Sequence, residues 1–545
     1  MLTLRASSPR RDHEPGDRPD RKDLSVLSTR ITNAHIITMD PDRPAARELG
    51  IWRGRIVGLD EDVAGLPARR ALDLDGATLL PGFIDAHVHL AWTGLKAAAP
   101  SVAPSRRVDD VLRVVADAVA AAPVGGWVDF GGYDQRTLDR PLTASDLDAV
   151  SAGRRVSLGH LSGHACLVNS AVLNGLPAQV ARPDGFLAEG AMGAALATRP
   201  PHSLTELASA VEHAARACRS EGITGCAEAG VGARLFGHSP IEGAAYQLAH
   251  ESGRLPVRVR LMVAADALRP VGAAAEDTTS RAIDLGLRTG FGDGALSLGA
   301  LKIFTDGGMM ARTAALTSPY LGTEGSGQLM HEPEVLESTI VEGHLAGWQL
   351  AVHAIGDRAL DVALDALEKA QKLSPRPEAR HRVEHAGLVR PDQLPRLAAL
   401  GVTVVIQPNF LRHYGDDYAT IMGEDRAGWL YRGRGFLDHG VRVAGSSDRP
   451  VADGAPLRAI RFMVERASES GRLIGADEAV TVEEALRAYT IEAARACRWE
   501  SDAGTLTPGK RADLVVLGDD PRRVEVSRIG EIEVVRTFVE GEDTY

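Results

Sequence analysis

The sequence is short of cysteine, of positive charge and of long apolar runs. Its few cysteines are scattered without paired spacing, which excludes a dense disulfide framework and favours a reducing, cytoplasmic location. No segment reaches the roughly 18 consecutive apolar residues of a membrane span. The first 28 residues lack the apolar stretch of a secretory signal, and we expect them to form a disordered tail. The four cysteines are Cys166, Cys218, Cys226 and Cys497.

The charge and the length limit the classes of protein that remain. A formal net charge of −12 opposes binding to a phosphate backbone, so we expect no nucleic-acid partner, and no membrane partner either. Apolar residues make up 44% and charged residues 25% of the chain, as is ordinary for a globular protein. A chain of 545 residues suits a large α/β barrel with a smaller domain. The oligomeric state stays open, a homodimer included.

Strand-like segments alternate with helical stretches through most of the chain, a pattern typical of βα units around a parallel sheet. Their number predicts a (β/α)8 TIM barrel over residues 78–500. The connection after the first segment is far longer than a normal βα loop and predicts an inserted subdomain at about residues 93–220. The eight segments are Thr78–Leu90, Ile223–Gly230, Val257–Ala264, Leu298–Gly307, Trp348–Asp357, His381–Gly387, Gly401–Phe410 and Val441–Pro450.

Both ends of the chain contain short strand-like segments outside the predicted barrel. Residues 29–77 and residues 501–545 each hold a few of them, separated by turns rich in proline and glycine. Isolated strands need partners. We therefore predict that the two ends combine into one small β-sandwich beside the barrel.

Side chains of the metal-ligating type follow five of the predicted strands. His87 and His89 are separated by one residue, so a strand points both imidazoles to the same side. A barrel gathers the carboxyl ends of its strands at one rim. Taken singly, each histidine could be a hydrogen-bonded structural residue, and Asp448 could be a helix cap. Taken together, they predict a metal site with the ligands His87, His89, Lys302, His353, His385 and Asp448.

Lys302 is unusual because it places an ammonium group in the apolar segment Leu298-Gly-Ala-Leu-Lys-Ile-Phe304. A protonated lysine cannot ligate a metal. A neutral amine that reacts with carbon dioxide becomes a carbamate, whose two oxygens can bridge two metal ions. Two alternatives stay open: a plain lysine beside a single metal ion, and an ion-pair partner of Glu384 or Asp306.

The six residues resemble, in order and in strand position, the ligand pattern of the amidohydrolase superfamily. More narrowly, the chain is similar to the N-substituted formamide deformylase-like branch, amidohydrolase family 3, and the similarity runs from about Ile31 to the C-terminus. The segments that carry it are Leu301-Lys-Ile-Phe-Thr-Asp-Gly307, Val352-His-Ala-Ile-Gly-Asp357, Arg382-Val-Glu-His-Ala386, Ile406-Gln-Pro408 and Gly445-Ser-Ser-Asp-Arg-Pro450.

This resemblance implies a set of ligands and a metal. It implies that His87 and His89 bind a more buried ion together with Lys302 and Asp448. His353 and His385 would bind a more exposed one. Zinc is the ion implied, as one ion or two, with other divalent metals left open and with Lys302 carbamylated.

The predicted activity is hydrolysis of a non-peptide carbon–nitrogen bond in an N-acyl or N-formyl amide of a small molecule. A divalent cation lowers the pKa of bound water to about 7, which makes hydroxide available for attack at neutral pH. Asp448 would take the proton and pass it to the leaving amine. Lys302 and His385 complete the predicted catalytic residues.

Further residues match the branch and are predicted to contact the substrate. For two of them, in the insertion, a structural hydrogen bond within their loop is the alternative. For the two after the fourth strand, the alternative is a salt bridge that orders the loop. The residues are His164 and Asn169 in the insertion, Asp306 and Arg312 after the fourth strand, and Gln407 at the end of the seventh.

Two other functions are alternatives to amide hydrolysis. Deaminases of the superfamily, which act on cyclic amidines, usually lack the lysine of strand four and carry a glutamate shortly after the histidine of strand five. Here His353 is followed by Ala-Ile-Gly-Asp, which disfavours deamination. A non-catalytic barrel that serves as a binding scaffold would be expected to have lost some of the ligands, and none is missing.

Overall fold

A ring of parallel strands forms the centre of the fold. The computed structural model describes residues 26–543, apart from residue 124 and the segments 233–237 and 275–278. Within that part of the chain, eight strands follow one another through a single sheet in the order of the sequence. The barrel strands, first to eighth, are Phe83–Val88, Ile223–Val231, Arg258–Ala264, Leu296–Phe304, Leu350–Ala354, Arg382–His385, Thr403–Ile406 and Arg442–Gly445.

The first and eighth strands come together just beyond their carboxyl ends. The backbone N of Asp448 donates to the carbonyl oxygen of His87 at 2.8 Å, and the backbone N of His89 donates to Arg449 at 3.0 Å. Small residues such as Ala86, contributed by strands around the ring, form an apolar cluster of their own that also contains Trp499. The predicted TIM barrel is thereby confirmed.

The helices surround the barrel, and several begin with side-chain caps. Ser203 and Thr481 each accept a hydrogen bond from the backbone N of a glutamate three residues later, which satisfies a donor that the first helical turn leaves unpaired. Among the described residues, no helix combines the length and the apolar composition that crossing a membrane requires. The helices outside the insertion are Leu90–Ala98, Leu204–Ser220, Glu242–Glu251, Pro333–Leu345, Asp357–Leu373, Leu394–Leu400, Pro408–Met422, Glu424–Ala427, Arg434–Asp438, Pro456–Glu465, Val482–Tyr489 and Ile491–Ala496.

The segment 78–90, expected to be one strand, is divided into two. Thr78–Pro81 pairs with Leu514–Leu517 in another sheet, and Phe83–Val88 is the first barrel strand. Only Gly82 lies between them, and a Cβ atom there would stand 2.2 Å from Thr224 Cγ2. The close approach of the second barrel strand therefore requires glycine at this junction.

A β-sandwich flanks the barrel and contains strands from both ends of the chain. Its two sheets enclose a separate apolar cluster that includes Ile31, Leu79, Leu514 and Phe538. The first strand begins at Leu27, while residues 1–25 of the predicted tail lie outside the described residues. One sheet contains Leu27–Thr32, Leu49–Trp52, Arg55–Leu59 and Ala68–Asp73, and the other contains His35–Ile37, Ala45–Ala46, Thr78–Pro81, Leu514–Leu517 and Val534–Phe538.

The long connection after the first strand contains a separately folded subdomain. The helices Leu90–Ala98 and Leu204–Ser220 pack against each other, with Gly94 facing the backbone of Ala210, and the subdomain lies between them. It has its own apolar clusters. Its strands are Trp127–Tyr133, Arg155–His160, Ala165–Val168 and Phe186–Ala188, and its helices are Val108–Ala121, Ala144–Ser151, Ser170–Leu173 and Gly190–Leu196. A two-stranded sheet, Arg269–Pro270 and Arg281–Ala282, follows the third barrel strand.

Candidate metal centre

The register of the barrel strands sets the height of each side chain at the rim. Phe304 on the fourth strand pairs with His353 on the fifth, and Ala354 pairs with His385 on the sixth. Lys302 pairs with Ala351 and so lies two residues deeper in the barrel than His353.

All six predicted ligands lie together at the carboxyl end of the barrel. The ring centroid of His87 is 5.6 Å from that of His89 and 4.9 Å from that of His385, and His353 lies 4.4 Å from His385. Lys302 Nζ is 3.4 Å from His87 Nε2. Asp448 Oδ1 is 3.4 Å from His87 Nε2 and 3.2 Å from His89 Nε2. Side chains separated by as much as 361 positions in the sequence, from residue 87 to residue 448, thus form one buried cluster.

Three of the four histidines have an oxygen acceptor beside Nδ1, which leaves Nε2 directed toward the cluster. An acceptor on one ring nitrogen fixes the ring's orientation and makes the other nitrogen a stronger ligand. The pairs are His87 with Glu384 Oε2 at 2.6 Å, His89 with Glu228 Oε1 at 3.6 Å, and His385 with Gln407 Oε1 at 2.7 Å.

The donor atoms of the cluster are of the types that bind a metal ion, and they lie close together. Ligand atoms of His87, His385 and Asp448 all lie within 4.8 Å of one another. Asp448 Oδ1 faces Nε2 of both His87 and His89. Within the described part of the chain, His353 Nδ1 is buried without a hydrogen-bond partner, although buried polar atoms are normally paired. Imidazole nitrogens and a carboxylate are the donors that zinc prefers. The residues therefore fit a bound divalent cation.

Two of these residues have unusual backbone conformations. His385 has a φ of 72° and Asp448 a φ of 53°, in the left-handed region that favours glycine. Residues with side chains persist there only where the surrounding structure holds them, and they are common at functional sites.

The charges of the cluster stabilise one another. Burial alone would raise the pKa of Asp448, but His87 and His89 hold it well below its usual range. Burial alone would lower the pKa of His89, but Asp448 and Glu228 raise it to about 9. Burial, together with the neighbouring imidazoles, lowers the pKa of His385 well below its usual value.

Lys302 is fully enclosed, with 1% of its surface exposed. Burial lowers its pKa to about 8, although Glu384 and Asp448 oppose the shift. The carboxylate of Glu384 is bonded to His87 and Arg382. The neutral fraction of the Lys302 amine near neutral pH is therefore larger than that of an exposed lysine.

A small cavity of about 10 Å³ opens beside the cluster, which is room for about one water-sized sphere. Trp92, Phe304 and Val451 provide its apolar walls, and His164 of the insertion lines it together with all six predicted ligands. The ring centroid of His164 is 6.1 Å from that of His353.

A larger groove of about 1260 Å³ lies on the other side of Trp92, between the insertion and the helices Leu90–Ala98 and Leu204–Ser220. Arg199 on its wall donates to Asp129 at 2.6 Å. None of the six predicted ligands borders this groove. The groove is the larger space, but the clustered donor atoms line only the small cavity.

Of the five predicted substrate contacts, only His164 borders the cavity. Asn169 is a buried residue of the insertion and bonds the backbone of Val156 and Arg154. Arg312 is an exposed loop residue with a φ of 55°. The structure therefore does not bring these two residues to the cluster.

The other two predicted contacts lie behind the histidines. The carboxylate of Asp306 accepts from the backbone N of Ala315, Ile355 and Gly356 at 2.8 to 3.0 Å, and it lies 3.4 Å from His353 Nε2. Gln407 bonds His385. Both residues are fully buried and order the residues around them.

Several residues of the site were not found from the sequence. Glu228 lies within the second barrel strand and bonds the backbone N of Leu90 at 2.6 Å as well as facing His89. The sequence does carry a signal for Glu228, because it is a glutamate among the small and apolar residues of a strand. Trp92, whose ring lies 5.6 Å from that of His89, and Glu189, which contacts His164, gave no such signal.

Known proteins match nearly the whole chain. The model of the amidohydrolase family matches residues 70–545. N-substituted formamide deformylase of Arthrobacter pascens is 30% identical over 550 residues, which cover 94% of this chain and 97% of that protein. Protein LONG AFTER FAR-RED 3 of Arabidopsis thaliana is 30% identical over 555 residues, 95% of this chain and 92% of that protein. An uncharacterised metal-dependent hydrolase of Pyrococcus horikoshii OT3 is 25% identical in its crystal structure, with a TM-score of 0.74 over 92% of this chain and 99% of that one.

Proposed function

This chain belongs to the amidohydrolase family, in the branch of amidohydrolase family 3, and from that premise we propose that it hydrolyses a non-peptide carbon–nitrogen bond in an N-acyl or N-formyl amide of a small molecule. The observation that supports the proposal most is the cluster at the rim. Four imidazoles, a carboxylate and a lysine from five barrel strands meet there. Acceptors beside Nδ1 hold three of the imidazoles with Nε2 directed inward.

The proposed cofactor is zinc, as one ion or two, with other divalent metals able to replace it. A first ion would be held by His87, His89 and Asp448, and a second by His353 and His385. A carbamate on Lys302 would supply the anionic oxygens that a pair of divalent cations requires. The lowered pKa of Lys302 supports this modification, because only a neutral amine attacks carbon dioxide, forming the N–C bond and releasing a proton.

A bound divalent cation would supply two effects: a water acidified to a pKa of about 7 and a polarised carbonyl. Asp448 takes the proton of the attacking water and delivers it to the amine as the carbon–nitrogen bond breaks. Its Oδ1 faces the Nε2 atoms of His87 and His89, at the place proposed for the first ion, which suits that exchange. His385, fixed by Gln407, keeps its orientation during the reaction.

The lining of the cavity suits a small acyl group. Trp92 and Phe304 bound it with apolar surface beside the cluster. His164 also lines the cavity, and we propose that it contacts the substrate.

Two measurements test the proposed function. Protein purified without added metal should carry about one or more equivalents of zinc or a similar ion, and metal-loaded protein should hydrolyse members of a panel of formamides, acyl-amino acids and cyclic amides. Less metal than that, not recovered on reconstitution, would favour a binding scaffold. Ammonia released from cyclic amidines, with the amides left intact, would replace amide hydrolysis by deamination.

A further inference from the structure

Glu189, a buried acid of the insertion, has a strained backbone. Its φ of 50° and ψ of −123° lie where residues with side chains are rarely found. It is 4% exposed and directly precedes the helix Gly190–Leu196. Its backbone N donates to the carbonyl oxygen of His164 at 2.9 Å. The strained residue is therefore bonded directly to the histidine of the insertion that lines the cavity.

The side chain of Glu189 binds the same histidine and reaches the barrel. Its carboxylate lies 3.2 Å from His164 Nδ1, and Oε1 accepts from Thr313 Oγ1 at 2.6 Å. Burial opposes its charge, but His164 and Thr313 hold the pKa of Glu189 below its usual value. An ionised carboxylate thus faces one edge of the imidazole.

The loop after the fourth barrel strand closes around this pair. A Cβ atom on Gly307 would stand 2.3 Å from Glu189 Oε1, and one on Gly308 would stand 2.7 Å from His164 Cδ2. Backbone therefore approaches both side chains so closely that only glycine fits. The opposite edge of the His164 ring, which bears Nε2, is turned away from the carboxylate.

We propose that Glu189 is a positioning residue that fixes the ring orientation and the Nδ1 proton of His164, so that Nε2 is presented to the amide held at the metal cluster. The proposal rests on the proposed function, in which His164 contacts the substrate. A carboxylate that accepts from one imidazole nitrogen determines which nitrogen carries the proton. The insertion then contributes two residues, Glu189 and His164, to the reaction, as well as covering the rim of the barrel.

The alternative is that Glu189 only joins the insertion to the barrel through Thr313. Glu189→Gln separates the two roles. The glutamine keeps the size and an acceptor for Thr313 Oγ1, but it removes the charge and can turn an N–H toward His164. Thr313→Val is the matched control, because it removes the bond between the barrel loop and Glu189, together with the bonds of Thr313 Oγ1 to the backbone of Gly308, and leaves the carboxylate facing the imidazole.

The kinetic test is a double-mutant cycle with His164→Ala on whichever amide of the panel the protein hydrolyses. We expect E189Q to lower kcat/KM about tenfold or more, as contacting pairs do, with unchanged metal content. T313V should keep most of the activity. In the H164A background, E189Q should have little further effect. An equal loss of kcat/KM from E189Q in both backgrounds, or a loss in T313V as large as in E189Q, would show that Glu189 only links the insertion to the barrel.

A spectroscopic readout does not depend on activity. In protein labelled with ¹⁵N-histidine, the His164 signal, assigned from its absence in H164A, should show a proton on Nδ1 that is lost or redistributed in E189Q. The same His164 signal in both proteins would overturn the proposal. If no amide of the panel is hydrolysed, the proposed function fails, but the His164 signal still tests the positioning.

Discussion

Replacing Glu384 by glutamine tests how far the outer carboxylate sets the metal affinity of the cluster. Glu384 Oε2 lies 2.6 Å from His87 Nδ1, and the two carboxylate oxygens accept from Arg382 at 2.7 and 2.8 Å. Glutamine keeps the volume and one acceptor oxygen but removes the charge that strengthens the imidazole as a ligand. Losses of such outer partners cost about 10–100-fold in metal affinity, equivalent to about 1.4–2.7 kcal/mol.

The same change has a structural cost that needs its own control. Arg382 is 2% exposed, and breaking a buried ion pair costs about 3–5 kcal/mol of folding free energy. Glu478 provides a matched carboxylate: it pairs with Arg432 at 2.5 Å and accepts from the backbone N of Gly433 and Gly435. Glu478→Gln should lower the unfolding temperature in a similar way while leaving metal affinity unchanged.

Zinc affinity is measured by competition with a chromophoric chelator for wild type, E384Q and E478Q at the same pH. We expect only E384Q to lose zinc at lower chelator concentrations. If E384Q bound zinc as tightly as the wild type, the outer carboxylate would not tune His87. If E478Q weakened binding equally, the effect would come from lost stability.

Three further predictions use single substitutions. Asp448→Asn should lower turnover by about 10²–10⁴ or more with the fold retained by circular dichroism, and near-normal turnover would refute the proton shuttle. Lys302→Ala should lose activity, and short-chain carboxylic acids should restore part of it by replacing the carbamate. Full activity of this variant without added acid would mean that the lysine is only structural. Burial and Glu228 raise the pKa of Glu242 from 4.5 to about 8, so its protonated form favours folding and that stability is lost as the pH rises through about 8. At pH 9, Glu242→Gln should therefore be more stable than the wild type by up to a few kcal/mol of unfolding free energy and should unfold at a higher temperature. At pH 5 the two should unfold at nearly the same temperature; equal unfolding temperatures at both pH values would contradict this.

The barrel could be predicted because its strands are continuous apolar runs. Thr403–Ile406, for example, is buried at every position, as parallel strands covered on both faces require. The same continuous apolar pattern runs across Gly82, so the boundary there could not be predicted. Leu79 and Leu80 of the sandwich are as apolar as Phe83 and Ile84 of the barrel, so no change of pattern marks where one sheet ends and the next begins.

The meeting of six side chains at one rim could also be predicted, because strand order and strand polarity determine where carboxyl ends lie. Their roles as ligands stay predictions. The contacts of Asp306 and Gln407 depend on which way each side chain turns at the end of its strand, and the sequence does not encode this in any local pattern. Glu189 reaches His164 only through the fold of the insertion, so its contact could not be derived from spacing.

The single glycine between Pro81 and Phe83 has a consequence for folding. The strand before it is hydrogen-bonded to Leu514–Leu517, which in turn pairs with Val534–Phe538, and the strand after it leads to His87 and His89. The start of the metal centre is thus anchored by strands that follow the whole barrel in the sequence. Without Leu514–Leu517, one edge of Thr78–Pro81 would have no partner strand.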